Sequence, residues 1–318
     1  MARLLARAAR SCHRRISAAQ PALRRNLGEI HRVTRTRTLP DKDRNGAESH
    51  KPEVVARVAS ALVLAVVALG AAIASPWSFV LLVMAAGVII SWEWGRLVGG
   101  SGFDRVAVIE AIGVAALAVL VTLGRPDLAL IALAATVAAI GFASIASNTL
   151  GWSLAGLAYA ALPAWALVWL RSDQSLGAVA VLYLFAVAWT TDTASYAAGH
   201  LIGGPKLAPR ISPRKTWSGF IVGALAPSLI GYAFAAALGG TSAWRLALVS
   251  VALALACQLG DLVESAVKRR FGAKDMSHLI PGHGGLFDRI DGLLLAAILA
   301  ALIALRDPAS PGRALLVW

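Results

Sequence analysis

Cysteine is nearly absent from this 318-residue chain. Cys12 lies in a basic N-terminal stretch and Cys257 inside an apolar run, so neither a disulfide framework nor a thiolate metal site can be assembled. Charge is scarce as well. Asp, Glu, Lys and Arg make up 15% of the residues, against about 25% in a typical soluble domain. The shortage falls hardest on acids, with 17 Asp and Glu to 30 Lys and Arg. The apolar runs also lack any period of two. Leu128 to Ala146 is almost unbroken Ala, Leu, Val and Ile, which excludes the alternating strands of a membrane barrel. What is there is a chain that is 58% hydrophobic with a mean hydropathy of +0.69, the composition of an integral membrane protein.

A spanning helix needs about 20 mostly apolar residues, and nine candidate runs can be counted. They centre on residues 58 to 74, 77 to 92, 106 to 123, 127 to 147, 150 to 170, 176 to 191, 219 to 238, 244 to 260 and 291 to 306. The expected fold is all-α, a polytopic membrane bundle of about nine transmembrane helices over residues 55–306. A basic tail, residues 1–54, precedes it and a short tail, residues 307–318, follows.

Residues 1–50 carry twelve Arg and Lys against four Asp and Glu and hold no long apolar run, which puts them on the cytoplasmic side. Met1 to Ile30 has the Arg-rich, acid-poor look of an organelle transit peptide. The preferred readings are a disordered arm on anionic lipid or residues ahead of an internal start, neither carrying chemistry. With the N-terminus inside, the inside connections hold Arg96 and Arg105, then Lys206, Arg210, Arg214 and Lys215, then Lys268, Arg269, Arg270, Lys274 and Arg289. The outside ones hold only Arg125, Arg171 and Arg245. This is the positive-inside bias, and an odd number of spans leaves the C-terminus outside, where Arg306 and Arg313 are a mild counter-signal. The expected location is a bacterial inner membrane.

Two polar segments then share the cytoplasmic face. In the later one, Asp261, Glu264, Ser265 and Lys268 recur at three and four residues and so share one helical face at membrane depth. The chain continues through Lys274, Asp275 and Pro281-Gly282-His283-Gly284-Gly285, then re-enters a helix at Asp288-Arg289-Ile290-Asp291. The glycine pair permits close backbone approach to a ligand. A hard divalent cation takes carboxylate oxygens and leaves positions for substrate phosphates, which fits Mg²⁺ held by Asp261 and Asp288. Basic side chains between them would neutralise phosphate oxygens. The plain alternative is that the aspartates form buried salt bridges with Lys268 and Arg289. In the earlier segment Asp192 ends a span, and Ser212-Pro213-Arg214-Lys215-Thr216 is expected to open the next helix with hydroxyls, cations and free amides, a phosphate-binding arrangement.

The run Ser265-x-Val267-Lys268-Arg269-x4-Lys274-Asp275-x-Ser277-x2-Ile280-Pro281-x-His283-Gly284-Gly285-Leu286-x-Asp288-Arg289-Ile290-Asp291 resembles the signature of phosphatidate cytidylyltransferases, the CDP-diacylglycerol synthases. Asp192-Thr-Ala-Ser-Tyr196 and Ser212-Pro-Arg-Lys-Thr-Trp-Ser-Gly219 are similar to a second block of that family, and Glu93 to a weaker third feature. Arg214 stands where the family often has Lys, and Ser218 where it often has Glu. Arginine's fork is not a lysine point charge, and the lost carboxylate removes any metal role from position 218.

The resemblance implies transfer of a cytidylyl group from CTP to phosphatidic acid of the cytoplasmic leaflet, with release of pyrophosphate. The metal pair of the family falls on Asp261 and Asp288. Lys268, Lys274, Arg289, Lys215 and Ser212 would contact the triphosphate or the lipid phosphate. Asp192, Arg214, Thr216, Ser265, Asp275, His283, Gly284, Gly285 and Asp291 complete the expected binding set, with His283 either donating to a phosphate or capping the loop. A second, monovalent cation and a homodimer stay open; the partners are CTP and membrane lipid, not nucleic acid. Two rivals remain. A CTP-dependent lipid-alcohol kinase would transfer the γ-phosphoryl group instead, and an ion-coupled transporter would show an inverted repeat and charges spread along a path, neither of which the sequence has.

Overall fold

The computed structural model describes residues 46–145, 149–239, 242–280 and 284–318, with side chains from residue 59 onward. The expectations for the basic tail up to residue 45 and for His283 lie outside the described residues. The chain divides into two units, residues 1–54 and 55–318; of the first, only the start of one helix is described.

The helices are α1 (Gly46–Ala74), α2 (Pro76–Gly99), α3 (Arg105–Thr122), α4 (Pro126–Ala143), α5 (Leu150–Arg171), α6 (Gly177–Leu201), α7 (Trp217–Leu225), α8 (Ser228–Leu238), α9 (Ala243–Arg270), α10 (Phe287–Ala304) and α11 (Pro311–Leu316). A two-stranded antiparallel hairpin, β1 (Lys206–Ala208) and β2 (Ser212–Thr216), joins α6 to α7. The turns have local causes. Ser75 and Ser78 form a reciprocal capping box at the start of α2, with Pro76 in its first turn. Asp104 caps α3 by accepting from the Ala107 amide at 2.8 Å. The span at residues 219 to 238 is broken at Ala226-Pro227 into α7 and α8, because proline lacks the amide that would continue the helix.

By length and composition, seven helical segments can cross a membrane: α2, α3, α4, α5, α6, the α7–α8 pair and α9. This is the polytopic helical membrane fold that the composition required. The other two expected runs are also helical: among the residues with described side chains α1 carries the apolar stretch Ala59–Ala74, and α10 opens with Asp288, Arg289 and Asp291. Leu62, Val66, Leu81, Ile112, Ile131 and Leu229 are exposed on the outside of the bundle, as lipid-facing side chains are. Inside it, buried Tyr183 places its hydroxyl 2.8 Å from that of Ser250, linking α6 to α9.

Residues 307–318, expected as a tail, fold back onto the bundle. Leu315 and Leu316 of α11 are buried against it, and Arg306 lies 3.7 Å from the centre of the Trp318 ring while donating to the Ala314 carbonyl. Ala314-Leu315-Leu316 is too short an apolar run to mark a packing element by itself. Its burial depends on where α6 begins and α10 ends.

Closest to the functional region is the crossing of α9 and α10. A Cβ on Gly260 would stand 2.6 Å from the Asp291 carbonyl oxygen, and one on Gly292 2.9 Å from that of Cys257. Only glycine at both positions permits this approach, and it brings the neighbours Asp261 and Asp291 face to face.

Candidate functional site

A cavity of about 700 Å³ opens between α6, the hairpin, α9 and α10. Of the site residues expected from the sequence, Asp192, Arg214, Lys215, Thr216, Asp261, Lys268, Asp275, Asp288, Arg289 and Asp291 all line it. The two polar segments, far apart in the chain, therefore make one site.

The face expected on α9 is formed. Lys215 of β2 reaches Asp261 at 2.5 Å, and the Ser265 hydroxyl donates to the other Asp261 oxygen at 3.4 Å. One turn on, Lys268 bridges Glu264 at 2.7 Å and Asp288 at 2.6 Å. The second oxygen of Asp288 accepts from the amides of Met276, at 3.0 Å, and Gly285, at 2.9 Å. Asp288 thus closes the loop between α9 and α10 and holds Lys268, as the salt-bridge alternative anticipated for Lys268.

The carboxylates that converge are Asp261, Glu264 and Asp291, one oxygen of each lying within 4.8 Å of the others. Glu264 is buried, and among the described residues its Oε1 has no hydrogen-bond partner. An unpartnered buried carboxylate oxygen beside two further carboxylates is a donor set that fits a hard divalent cation. The pair picked out by spacing and resemblance, Asp261 and Asp288, shares the cavity, but the tight cluster uses Asp291 and adds Glu264. Spacing could not separate Asp288 from Asp291, which lie three apart on one face of α10. The Gly260–Gly292 crossing decides which of them meets Asp261.

The hairpin corrects the expectation of a helix start. Ser212 to Thr216 is a strand and not the first turn of a helix. Pro209 and Pro213 bar a helix interior here, while a two-stranded edge tolerates the missing Pro213 amide. Only Thr216 acts as a helix cap, accepting from the Gly219 amide at 3.2 Å. Ser212 stands outside the cavity lining. Ser218 donates to the Gly203 carbonyl at 2.5 Å, a bond that closes the hairpin base. Arg269 donates to the Ile211 carbonyl at 3.3 Å and to that of Ala273 at 3.1 Å, so it braces the hairpin against the end of α9.

Lys274 is exposed and, like Ser265, Gly284 and Gly285, does not line the cavity. Gly284 has φ +89° and pairs with Ile280 in an isolated bridge, the left-handed backbone that favours glycine. The cavity adds Ser195, which lies in the Asp192–Tyr196 block, Lys206 of the basic inside connection, and His200 and Gln258, which carried no sequence signal beyond being polar near a span end.

Comparison with known proteins agrees with this site. Residues 55–305 match the model of the cytidylyltransferase family. The phosphatidate cytidylyltransferase of Brucella suis is 40% identical over 249 residues, 77% of this chain and 91% of that protein. Those of Mycobacterium leprae and Rickettsia typhi are 46% identical over 124 residues and 37% identical over 161, covering 39% and 48% of this chain and 40% and 70% of theirs.

Proposed function

This chain belongs to the cytidylyltransferase family, and from that membership we propose that it transfers the cytidylyl group of CTP to phosphatidic acid, giving CDP-diacylglycerol and pyrophosphate. The observation that carries this reading is the single cavity in which Lys215, Lys268, Arg214 and Arg289 face the Asp261, Glu264 and Asp291 carboxylates. Such a mixture suits a metal-bound polyphosphate, and the family membership favours phosphatidic acid over an alcohol as the acceptor. A kinase would need a bound alcohol in place of the lipid phosphate, and a transporter would need charges spread along a path.

An oxygen of the lipid phosphate attacks the α-phosphorus of CTP; the new P–O bond forms as the bond to the β-phosphate breaks, and pyrophosphate departs with the electron pair. The nucleophile is already an anion, so no side chain has to activate it. The protein must hold two anionic substrates in line and offset their repulsion. Lys215 and Lys268, each now paired with a carboxylate, are the cations that phosphate oxygens would draw away. Arg214 and Arg289 add charge at the rim. Mg²⁺ would be held by Asp261, Glu264 and Asp291, with Asp288 as a further carboxylate of the same cavity, and would neutralise charge on the triphosphate.

CTP is soluble and phosphatidic acid lies in a leaflet, so the reading puts the cavity at the cytoplasmic face of the inner membrane, in keeping with the basic inside connections. The test is purified protein with labelled CTP and phosphatidic acid, with and without Mg²⁺. A labelled liponucleotide formed only with Mg²⁺ is the expected result. CDP and a phosphorylated alcohol, or no product, would overturn it.

A further inference from the structure

Glu93 sits in the largely apolar α2 with no exposed surface. Both of its oxygens are taken by the segment that leads into α10. Oε1 accepts from the Ser277 hydroxyl at 2.5 Å and from the Leu286 amide at 2.9 Å, and Oε2 from the Phe287 amide at 2.8 Å. These amides belong to the cap and first residue of α10, and Leu286 offers no side-chain acceptor to its own helix. A helix start leaves amides without intrahelical partners, and here a carboxylate some 190 positions earlier in the chain accepts from two of them. Its negative charge also meets the positive end of the helix dipole.

The attachment is specific in shape. A Cβ on Gly285 would come within 2.5 Å of Glu93 Oε1, so glycine is required for the loop to lie against the carboxylate. Phe287 is clamped from the same side by Trp94 and Tyr159, with ring centres 6.1 and 5.4 Å away. On the opposite side Asp288 holds the Met276 and Gly285 amides. The loop is therefore pinned between a carboxylate from α2 and one from α10. The first turns of α10, which carry Asp288, Arg289 and Asp291, take their place from Glu93. Burying a carboxylate is costly unless it is fully hydrogen-bonded. An apolar residue would pack α2 more cheaply, but it would leave the start of α10 uncapped.

We propose that Glu93 is a positioning residue: it touches no substrate, but fixes the first turns of α10 so that Asp291 meets Asp261 and Glu264. In its consequence for turnover this rests on the cytidylyl-transfer reading; in its consequence for cation binding and for the order of α10 it does not. The test compares full-length protein with Glu93→Gln, Glu93→Asp and Ser277→Ala, purified in detergent and checked for folding by thermal melt. Mn²⁺ binding is followed by electron paramagnetic resonance, and amide exchange by mass spectrometry. Glu93→Gln and Ser277→Ala should each weaken Mn²⁺ binding and speed exchange of residues 284–290 by about tenfold, the scale of one charge-assisted hydrogen bond, with the other helices unchanged. Glu93→Asp, a carboxylate drawn back by one methylene, should lose more than Glu93→Gln in both readouts, because reach matters as well as charge. Wild-type Mn²⁺ affinity and wild-type exchange in folded Glu93→Gln and Ser277→Ala would overturn the inference. A wild-type protein that binds Mn²⁺ but makes no liponucleotide would overturn the proposed reaction and leave the positioning role to be decided by the same two readouts.

Discussion

Lys215 Nζ lies 2.5 Å from Asp261 Oδ2, and this contact joins the two polar segments inside the cavity. Lys215 comes from a proline-bounded hairpin and Asp261 from the depth of α9, 46 positions later. The pair is partly open to the cavity, with 23% and 37% of the two side chains exposed. Its value as a stabilising bond is accordingly small. Its meaning lies in where it puts a cation and a carboxylate, side by side in a cavity large enough for a nucleotide.

The acidic cluster leads to the first prediction. Asp261→Asn and Asp291→Asn should each lower Mg²⁺-dependent liponucleotide formation by at least about a hundredfold, as loss of a group that stabilises developing charge does, while the protein still inserts in the membrane. Asp288→Asn should be as damaging by a second route, since it releases Lys268 and weakens the loop closure. Near-normal turnover in Asp261→Asn would remove that residue from the cation site.

Position 214 distinguishes charge from geometry. Arg214 is exposed on β2 at the cavity rim, where a cation acts through charge and not through a fixed fork. Arg214→Lys should stay within about threefold of the parent in kcat/KM for CTP, and Arg214→Glu should fall by about tenfold or more, which a kinetic assay at fixed Mg²⁺ reads directly.

The helix crossing makes a prediction about packing. Gly260→Val would drive its side chain into the Asp291 carbonyl, so the variant should lose about 1–3 kcal/mol by overpacking and show reduced Mn²⁺ affinity. A thermal melt in detergent and the same resonance titration check both effects. A variant with unchanged stability and unchanged affinity would mean that the two helices do not need to approach this closely.

Asp173, in the turn between α5 and α6, predicts a pH dependence. Burial pushes its carboxyl up. Hydrogen bonds from the Leu176 amide, the Ser175 hydroxyl, and the Arg313 and Ser175 amides outweigh burial and hold it below its ordinary value of 3.8. A depressed carboxyl stabilises the fold fully above the unfolded value, and the contribution fades as pH falls through the lower folded one. Asp173→Asn should therefore cost about 1–3 kcal/mol near neutrality, loosening α11 at Arg313. The gap in melting temperature between variant and parent should shrink only below pH 3.8.

Read alone, the residues establish a helical membrane protein whose charge within the apolar region gathers in two segments, with Asp261, Glu264, Ser265 and Lys268 on one face. These follow from hydropathy and from helical period, which are local properties. Which carboxylates converge follows from the folded packing alone, because Asp288 and Asp291 are equivalent by spacing until Gly260 and Gly292 let α9 and α10 approach. The tertiary structure alone turned Ser212 to Thr216 into a strand, folded the C-terminal residues back onto the bundle, and seated Glu93 at the start of α10. Each of these depends on contacts between residues distant in the chain, and neither periodicity nor composition carries information about such contacts.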